Sequence, residues 1–168
     1  MIDQIISRRS IRKYTDEPVS KEDLNEILKA AMYAPSANNQ QAWQFVILDD
    51  HSIMDQIIDV HKGAEPIRKA PAAIVICADK NGPNKDYLTI DATIATQNIL
   101  LAAHSLGLGA CWLAIYPREP RIEKLQELCQ LPEHIMPFAC VSLGHPAEKI
   151  ETPDRFKKEK IHYNIWEN

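Results

Sequence analysis

A run of hydrogen-bonding side chains near the N-terminus is the first segment of this sequence that could bind a ligand. Residues 8–13 read RRSIRK, so five of the six side chains carry a hydrogen-bond donor. Each guanidinium group can form paired, charge-assisted hydrogen bonds with a phosphate group, and a hydroxyl adds a further contact. The segment therefore predicts an anion site, and the alternative is a basic patch in contact with solvent. The candidate residues are Arg8, Arg9, Ser10 and Arg12.

A second polar segment connects a predicted helix to a predicted strand. Residues 34–43 read APSANNQQAW and contain five neutral hydrogen-bonding side chains without a formal charge. Amide and hydroxyl groups suit a neutral heteroaromatic ligand that has carbonyl and imide edges. The alternative is an ordinary connecting loop, because Pro, Ser and Asn favour turns for local reasons.

The remaining motifs give little support to other chemistry. Residues 106–112 read LGLGACW, but Trp112 stands where a dinucleotide-binding fingerprint has its third glycine, and a strand follows instead of a helix. We expect Gly107 to cap a helix. The histidines form no HExxH or HxH motif, the cysteines form no CxxC motif, and no GxSxG motif occurs. The sequence therefore favours neither a metal site nor acyl-transfer catalysis.

Predicted helices and strands alternate along the chain. Ser20, followed by Asp23, forms a capping box ahead of apolar residues at helical spacing, and further helices are predicted from Ser52 and over residues 119–129. Short apolar runs typical of buried strands occupy residues 45–48, 72–78, 110–115 and 138–143. This order predicts a sheet that is covered by helices on its faces.

Residues 88–117 form an unusual stretch in which Asp91 is the single formally charged side chain. Polar residues interrupt every apolar run well short of the ~18 residues that a transmembrane helix needs. We predict a helix from about Thr89 to Leu106 that is apolar on most of its circumference and ends at Gly107. Such a helix must be buried nearly all round. It lies either at the centre of a dimer or in the core of the subunit.

The C-terminal residues are expected to form an arm. Residues 146–160 are polar and contain prolines, whereas Ile161, Tyr163 and Ile165 alternate with other residues in the period of a strand. Apolar alternation after a polar arm indicates docking on a sheet edge, and the alternative is that the tail folds back on its own subunit. We expect one domain over residues 1–168, with residues 146–168 as an arm that docks on a partner subunit.

Composition excludes several classes of protein. The 168 residues are 25% charged and 45% apolar, which is typical of one globular domain with an ordinary core. A net charge of −4 argues against a nucleic-acid-binding protein, which needs a dominant basic face. The N-terminus lacks the basic and apolar segments of a secretory leader, so we expect a cytoplasmic protein with reduced thiols and no membrane partner.

Four segments, in this order, resemble the nitroreductase family: RRSIRKY at 8–14, APSANNQQAWQF at 34–45, LGLGACWLAIY at 106–116 and VSLGHPAEK at 141–149. The resemblance extends over essentially the whole chain. It implies an α+β fold, a three-layer α-β-α sandwich with a mixed central sheet, in a homodimer that exchanges C-terminal tails and binds FMN at the subunit interface. Family members pass hydride from NADH or NADPH through the flavin to nitroaromatics, quinones or other flavins, so the expected partner is a small-molecule acceptor.

The resemblance also implies the residues that bind FMN. Arg8 and Arg9 would contact the phosphate and ribityl end, and Arg12 the pyrimidine edge, with Ser10 in the same run. Ala114 and Ile115 fall where a backbone amide faces flavin N5, and Gly144 and Arg155 lie near a second phosphate contact. The loop that the partner subunit contributes would include Pro35, Ser36, Ala37 and Asn39.

Two departures from the family pattern are Ala42, where proline is usual, and Ala114, where short members often have glycine. Neither departure removes a side-chain ligand. The family's lysine contact in the loop before the second strand has no clear match in residues 62–71. Because the cofactor carries the reaction, no catalytic side chain is expected, and both substrates would use the flavin in turn in a ping-pong mechanism. The alternative is a flavin-binding protein with a non-redox or specialised role, such as flavin storage, flavin breakdown or reductive removal of a substituent.

Overall fold

The computed structural model describes residues 1–166. It contains five α-helices and four strands in the order α1, α2, β1, α3, β2, α4, β3, α5 and β4 within these residues. Their bounds are Ile2–Ser7, Lys21–Met32, Trp43–Leu48, His51–Val60, Ala72–Asp79, Leu88–Ser105, Gly109–Ala114, Glu119–Leu128 and Ile135–Gly144. Short 3-10 turns occupy Ala37–Asn39, Lys62–Lys69, Lys85–Tyr87 and Lys158–Lys160.

The helix ends follow from local sequence. The Ser20 hydroxyl accepts a hydrogen bond from the Asp23 amide at 3.0 Å, as the predicted capping box requires. Helix α3 begins one residue before the predicted start, because Asp50 caps it by accepting from the Ser52 amide at 2.8 Å. Helix α4 ends where Gly107 adopts a φ of +79°, which confirms the predicted glycine cap.

The sheet has the strand order β1-β2-β4-β3, and its three ladders are antiparallel. The expectation of a mixed sheet is therefore wrong for the described residues, in which parallel pairing is limited to an isolated bridge between Ser10 and Ala110. Alternating helices and strands predict a covered sheet but not strand direction. That direction depends on the end of the sheet to which each connection returns, and local periodicity does not encode it.

Helices cover both faces of the sheet, so the three-layer α-β-α arrangement is confirmed. Side chains alternate between the faces along β2. Val75 belongs to an apolar cluster with Ile57 of α3 and the buried face of α5. Ile74, on the opposite face, clusters with α2 and with Ile99 of α4.

Helix α4 lies in the core of the subunit, but its outer side is also apolar. One face packs on the sheet and on α2, whereas Ile90 is half exposed and Ile94 and Leu101 are only partly buried. The isoleucines of the neighbouring α1, such as Ile2 and Ile5, are exposed as well. Exposed apolar side chains on neighbouring helices are typical of an interaction site. Among residues 1–166, no helix combines the length and the apolarity needed to cross a membrane.

The C-terminal arm leaves its apolar side chains in solvent. Residues 146–166 contain no strand, and Phe156, Tyr163, Ile165 and Trp166 are all more than 65% exposed. These apolar side chains of the described arm therefore do not pack back on their own subunit.

Candidate cofactor site

The predicted arginine segment lies along the outer edge of β3. Ser10 pairs with Ala110 in a parallel bridge, and the Ile11 amide donates to the Ala110 carbonyl at 3.0 Å. Gly109 makes this approach possible, because a Cβ atom there would lie 2.6 Å from Ile11 Cγ2. The sheet edge therefore fixes the backbone on which the arginine side chains stand.

The other side of the same segment pairs with the chain that follows β4. The Thr15 amide donates to the His145 carbonyl at 2.9 Å, and the Ala147 amide donates to the Lys13 carbonyl at 2.9 Å. Glu148 Oε1 then accepts from the Arg12 amide at 2.6 Å. Hydrogen bonds on both sides thus hold residues 10–15 rigidly between β3 and the start of the C-terminal arm.

A buried tyrosine connects the segment at residues 10–15 to β4. The Tyr14 hydroxyl donates to the Ile11 carbonyl at 2.6 Å and shares a 2.8 Å hydrogen bond with Ser142 Oγ. Burial raises the pKa of Tyr14 well above its ordinary value, so the phenol stays neutral and serves as a hydrogen-bonding anchor.

The arginine side chains form a site with unsatisfied donors. Arg8 Nη1 and Arg9 Nη1 are buried and have no hydrogen-bond partner in the described part of the chain. The pKa of Arg8 is lowered, first by burial and then by the positive charges of Arg9 and Arg155. Buried donors without partners are costly, and so are clustered like charges. An anion such as a phosphate group relieves both costs.

A cavity of about 530 Å³ opens beside these arginines. It is lined by Arg8, Arg9 and Arg155, together with Asp154 and the apolar side chains of α1 and Phe156. The structure therefore places Arg155, from the C-terminal arm, beside the same cavity as the N-terminal arginines. The donor set and the charge fit the phosphate end of FMN.

The far end of the β3 edge offers a backbone amide. Because Ala110 directs its carbonyl outward to Ile11 and strand residues alternate, the backbone groups of Ala114 face the same edge. Arg121 Nη1 donates to the Ala114 carbonyl at 2.7 Å and fixes that peptide. The Ile115 side chain is fully buried. The predicted amide donor therefore stands at an open edge, in line with the arginine segment.

His61 lies beside this peptide, and no sequence motif pointed to it. The ring is 8% exposed, and neither nitrogen has a hydrogen-bond partner among residues 1–166. Burial lowers the pKa of His61, and the charge of Arg121 lowers it further. The imidazole is therefore neutral at neutral pH, next to the Ala114 end of the β3 edge.

Gly144 has a packing role in this structure. A Cβ atom there would lie 2.5 Å from Pro71 Cδ and 3.1 Å from Tyr14 Cδ1. The absence of a side chain at Gly144 thus lets the end of β4 approach the segment that carries Arg12.

Cys111 lies close to the arginines but is buried. Its exposed fraction is 4%, and burial raises the pKa of its thiol although Arg12 and Arg8 act in the opposite direction. The thiolate form, on which cysteine reactivity depends, is therefore disfavoured.

The second predicted segment does not meet the first within one subunit. The loop with Pro35, Ser36, Ala37 and Asn39 is attached to the start of α4, where Asp91 Oδ1 accepts from the Ala37 amide at 3.1 Å. The arginine segment adjoins the other end of α4, where Ser7 Oγ and His104 Nε2 are 2.8 Å apart. Asp91 and His104 are 13 positions apart in α4, which corresponds to about 20 Å at 1.5 Å per residue.

Comparisons with known proteins identify relatives of this chain and of its fold. A family model described as "Nitroreductase family" matches residues 5–82 and 59–145. A protein of Methanothermobacter thermautotrophicus, provisionally assigned as an NADH dehydrogenase/NAD(P)H nitroreductase, is 42% identical over 99% of this chain and 87% of its own length. An FMN reductase [NAD(P)H] of Bacillus subtilis is 31% identical over 97% of this chain and 72% of its own length. The solved structure of an FMN-dependent nitroreductase from Clostridium difficile is 34% identical, covers 99% of this chain and 100% of its own, and superimposes with a TM-score of 0.92.

Proposed function

The chain belongs to the nitroreductase family, and we propose that it is an FMN-dependent oxidoreductase that takes hydride from NADH or NADPH and reduces a small, electron-poor molecule. The observation that carries the proposal is the pair of buried Nη1 atoms of Arg8 and Arg9, which have no hydrogen-bond partner among the described residues and lie at one end of the β3 edge. Relatives named as an FMN reductase and an FMN-dependent nitroreductase support the choice of cofactor.

In the proposed complex, FMN would lie along the β3 edge. Arg8, Arg9 and Arg155 would hold the phosphate group, with Ser10 next to them. Arg12 is exposed on the same segment and would reach the pyrimidine edge of the ring. The Ala114 amide at the far end would donate to flavin N5, with Ile115 packed behind it. Bound FMN supplies the hydride-transfer chemistry that no side chain of the protein provides.

The protein's own contribution is positional and electrostatic. Arg121 holds the Ala114 carbonyl, which belongs to the peptide that directly follows the amide proposed to meet the ring. Arg12 places a positive charge where negative charge develops on the pyrimidine edge during reduction, and this charge favours the reduced form. Glu148 holds the Arg12 backbone in place.

A homodimer accounts for two predicted segments that adjoin opposite ends of α4 in one subunit. The loop at residues 35–41 would complete the site of the partner subunit instead of its own. The exposed apolar surface of α1 and α4 provides an interface, and the exposed side chains of the C-terminal arm, such as Ile165, would dock on the partner. These three features support one assembly.

The acceptor is a nitroaromatic, a quinone or another flavin, and it would occupy the same face of the ring that the nicotinamide leaves. This sharing predicts ping-pong kinetics. The four free thiols fit a cytoplasmic location.

Anaerobic stopped-flow mixing tests the proposal. The purified yellow protein should sediment as a homodimer with one FMN per subunit, and NADH or NADPH should bleach the flavin absorbance. A nitroaromatic, quinone or flavin acceptor should then restore the colour, and steady-state double-reciprocal plots should be parallel. A flavin that stays oxidised with both nicotinamides would favour the alternative role in flavin storage, flavin breakdown or reductive removal of a substituent. A colourless, stable monomer would refute the assignment altogether.

A further inference from the structure

Asp91 is a buried carboxylate in the first turn of α4 that flavin binding does not directly use. It is 3% exposed and is the single formally charged residue between positions 88 and 117. Among residues 1–166, no lysine, arginine or histidine nitrogen lies within 4.0 Å of its oxygens. The position of Asp91 near the helix N-terminus stabilises its negative charge in part.

Both carboxylate oxygens of Asp91 instead hold the loop at residues 36–41. Oδ1 accepts from the Ala37 amide at 3.1 Å, and Oδ2 accepts from Gln40 Nε2 at 2.9 Å. Gln40 extends the contact, because its Oε1 accepts from the Asn84 amide at 3.2 Å. The carboxylate therefore connects the loop to α4 and, through Gln40, to the turn that precedes α4.

The loop needs such a connection because its backbone is strained. Asn38, Asn39 and Gln41 have φ values of 50°, 53° and 51°, in the left-handed region. Asparagine tolerates this region whereas glutamine disfavours it, so the strain falls on Gln41. Strained conformations of this kind persist only where surrounding contacts impose them. Ser36 Oγ, which accepts from the Gln41 amide at 3.0 Å, is a contact within the loop, whereas Asp91 is an anchor from outside it.

We propose that Asp91 is a positioning residue that holds residues 36–41 in the conformation required to complete the flavin site of the partner subunit. This inference rests on the proposed function. Since the arginine segment of the same subunit lies about 20 Å away along α4, removing the carboxylate weakens FMN binding in the partner's site and leaves its own arginines intact. Asp91 thus affects affinity without touching the cofactor.

The first test is FMN titration of apo-protein by quenching of flavin fluorescence. Asp91→Ala removes both acceptors, so FMN affinity should fall on the order of tenfold or more, the effect expected when a hydrogen bond to a charged group is lost. Asp91→Asn keeps one acceptor oxygen, so the FMN affinity of this variant should lie between those of Asp91→Ala and wild type. Thr93→Ala is the matched control, because the Thr93 hydroxyl is exposed and donates to the Thr89 carbonyl of its own helix. The control should bind FMN like wild type.

The second test separates positioning from simple loss of stability. Subunits with Asp91→Ala and subunits with Arg8→Ala are co-expressed with different tags, and the heterodimer is purified. One of its sites combines both defects, whereas the other combines an intact arginine segment with an intact loop. The heterodimer should therefore bind one FMN at a concentration where both homodimeric variants are empty.

Each outcome has one interpretation. Wild-type protein without FMN affinity would overturn the proposed function, and the inference that rests on it would fall with it. Asp91→Ala dimers that bind FMN as tightly as wild type would overturn the inference. So would heterodimers that recover no site, because the loop would then serve its own subunit or none. If Asp91→Ala does not fold, the FMN titration and the heterodimer experiment are done with Asp91→Asn, and the same results support or overturn the inference.

Discussion

Replacing Arg8 by alanine should weaken FMN binding much more than riboflavin binding, because riboflavin lacks the phosphate group. Arg8 Nη1 is buried without a partner, and the Arg8 side chain makes no hydrogen bond within the described residues. It is therefore free to form a charge-assisted hydrogen bond with phosphate, worth about 1.5–3 kcal/mol. FMN affinity should fall on the order of 10- to 150-fold, while riboflavin affinity changes little.

Arg9→Ala should also weaken FMN binding more than riboflavin binding, and it should in addition lower the stability of the protein. Arg9 Nε donates to the Ser7 carbonyl at 3.1 Å, and Arg9 Nη2 donates to the Ile6 carbonyl. These two contacts satisfy carbonyl groups at the end of α1, so their loss should also lower the melting temperature of the apo-protein. Arg8→Ala is therefore the cleaner test of phosphate recognition.

The assay is an equilibrium titration of apo-protein with each flavin, in which binding is monitored by the quenching of flavin fluorescence. Arg68→Ala is the control, because Arg68 forms a surface ion pair with Glu65 at 3.3 Å and does not line the cavity beside Arg8. Equal losses for FMN and riboflavin would refute the reasoning. The arginine segment would then be a basic surface patch that does not recognise the phosphate.

The other predictions concern neighbouring parts of the fold. Cys111→Ala should retain FMN and NAD(P)H turnover within about tenfold, or ~1.4 kcal/mol of barrier, because burial raises the pKa of the thiol and keeps it unreactive. Gly109→Ala should weaken FMN binding in flavin titrations, because a Cβ atom 2.6 Å from Ile11 Cγ2 would push the arginine segment off β3. Deletion of residues 160–168 should weaken the dimer in sedimentation experiments and release FMN. Because burial lowers the pKa of His61, the folded state binds fewer protons there than the unfolded state, so the free energy of unfolding should decrease as the pH falls from about 6.5 through that lowered pKa. His61→Asn should flatten this part of the stability profile, measured as melting temperature against pH.

Each of these predictions has an outcome that contradicts it. Loss of turnover by several orders of magnitude in Cys111→Ala, with FMN still bound, would mean that the thiol takes part in the reaction. Gly107→Ala is the control for Gly109→Ala, since no atom lies within 4 Å of a Cβ atom at Gly107. It should cost stability through its left-handed backbone alone and leave FMN affinity unchanged. A truncated protein that remains a yellow dimer, or a stability profile that does not respond to His61→Asn, would refute the corresponding argument.

The amino-acid sequence determined the parts of this protein that depend on neighbouring residues. The capping box at Ser20 and the glycine after α4 set helix ends, because the groups that satisfy a helix terminus come from residues within a few positions. Apolar runs with the spacing of strands identified all four strands of the described sheet to within three residues at each end. The arginine segment was recognisable because guanidinium groups in a row have a specific chemistry wherever they are placed.

Tertiary structure alone decided how these parts meet. The antiparallel direction of the strands, the place of residues 10–15 on the β3 edge and the cavity that Arg155 shares with the N-terminal arginines all join residues far apart in the chain. Asp91 gave no signal in the sequence beyond its isolation as a charge, since its partners are a backbone amide and a glutamine more than fifty positions away. Long-range contacts of this kind depend on chain direction, register and burial of the complete fold, and a local pattern contains none of these.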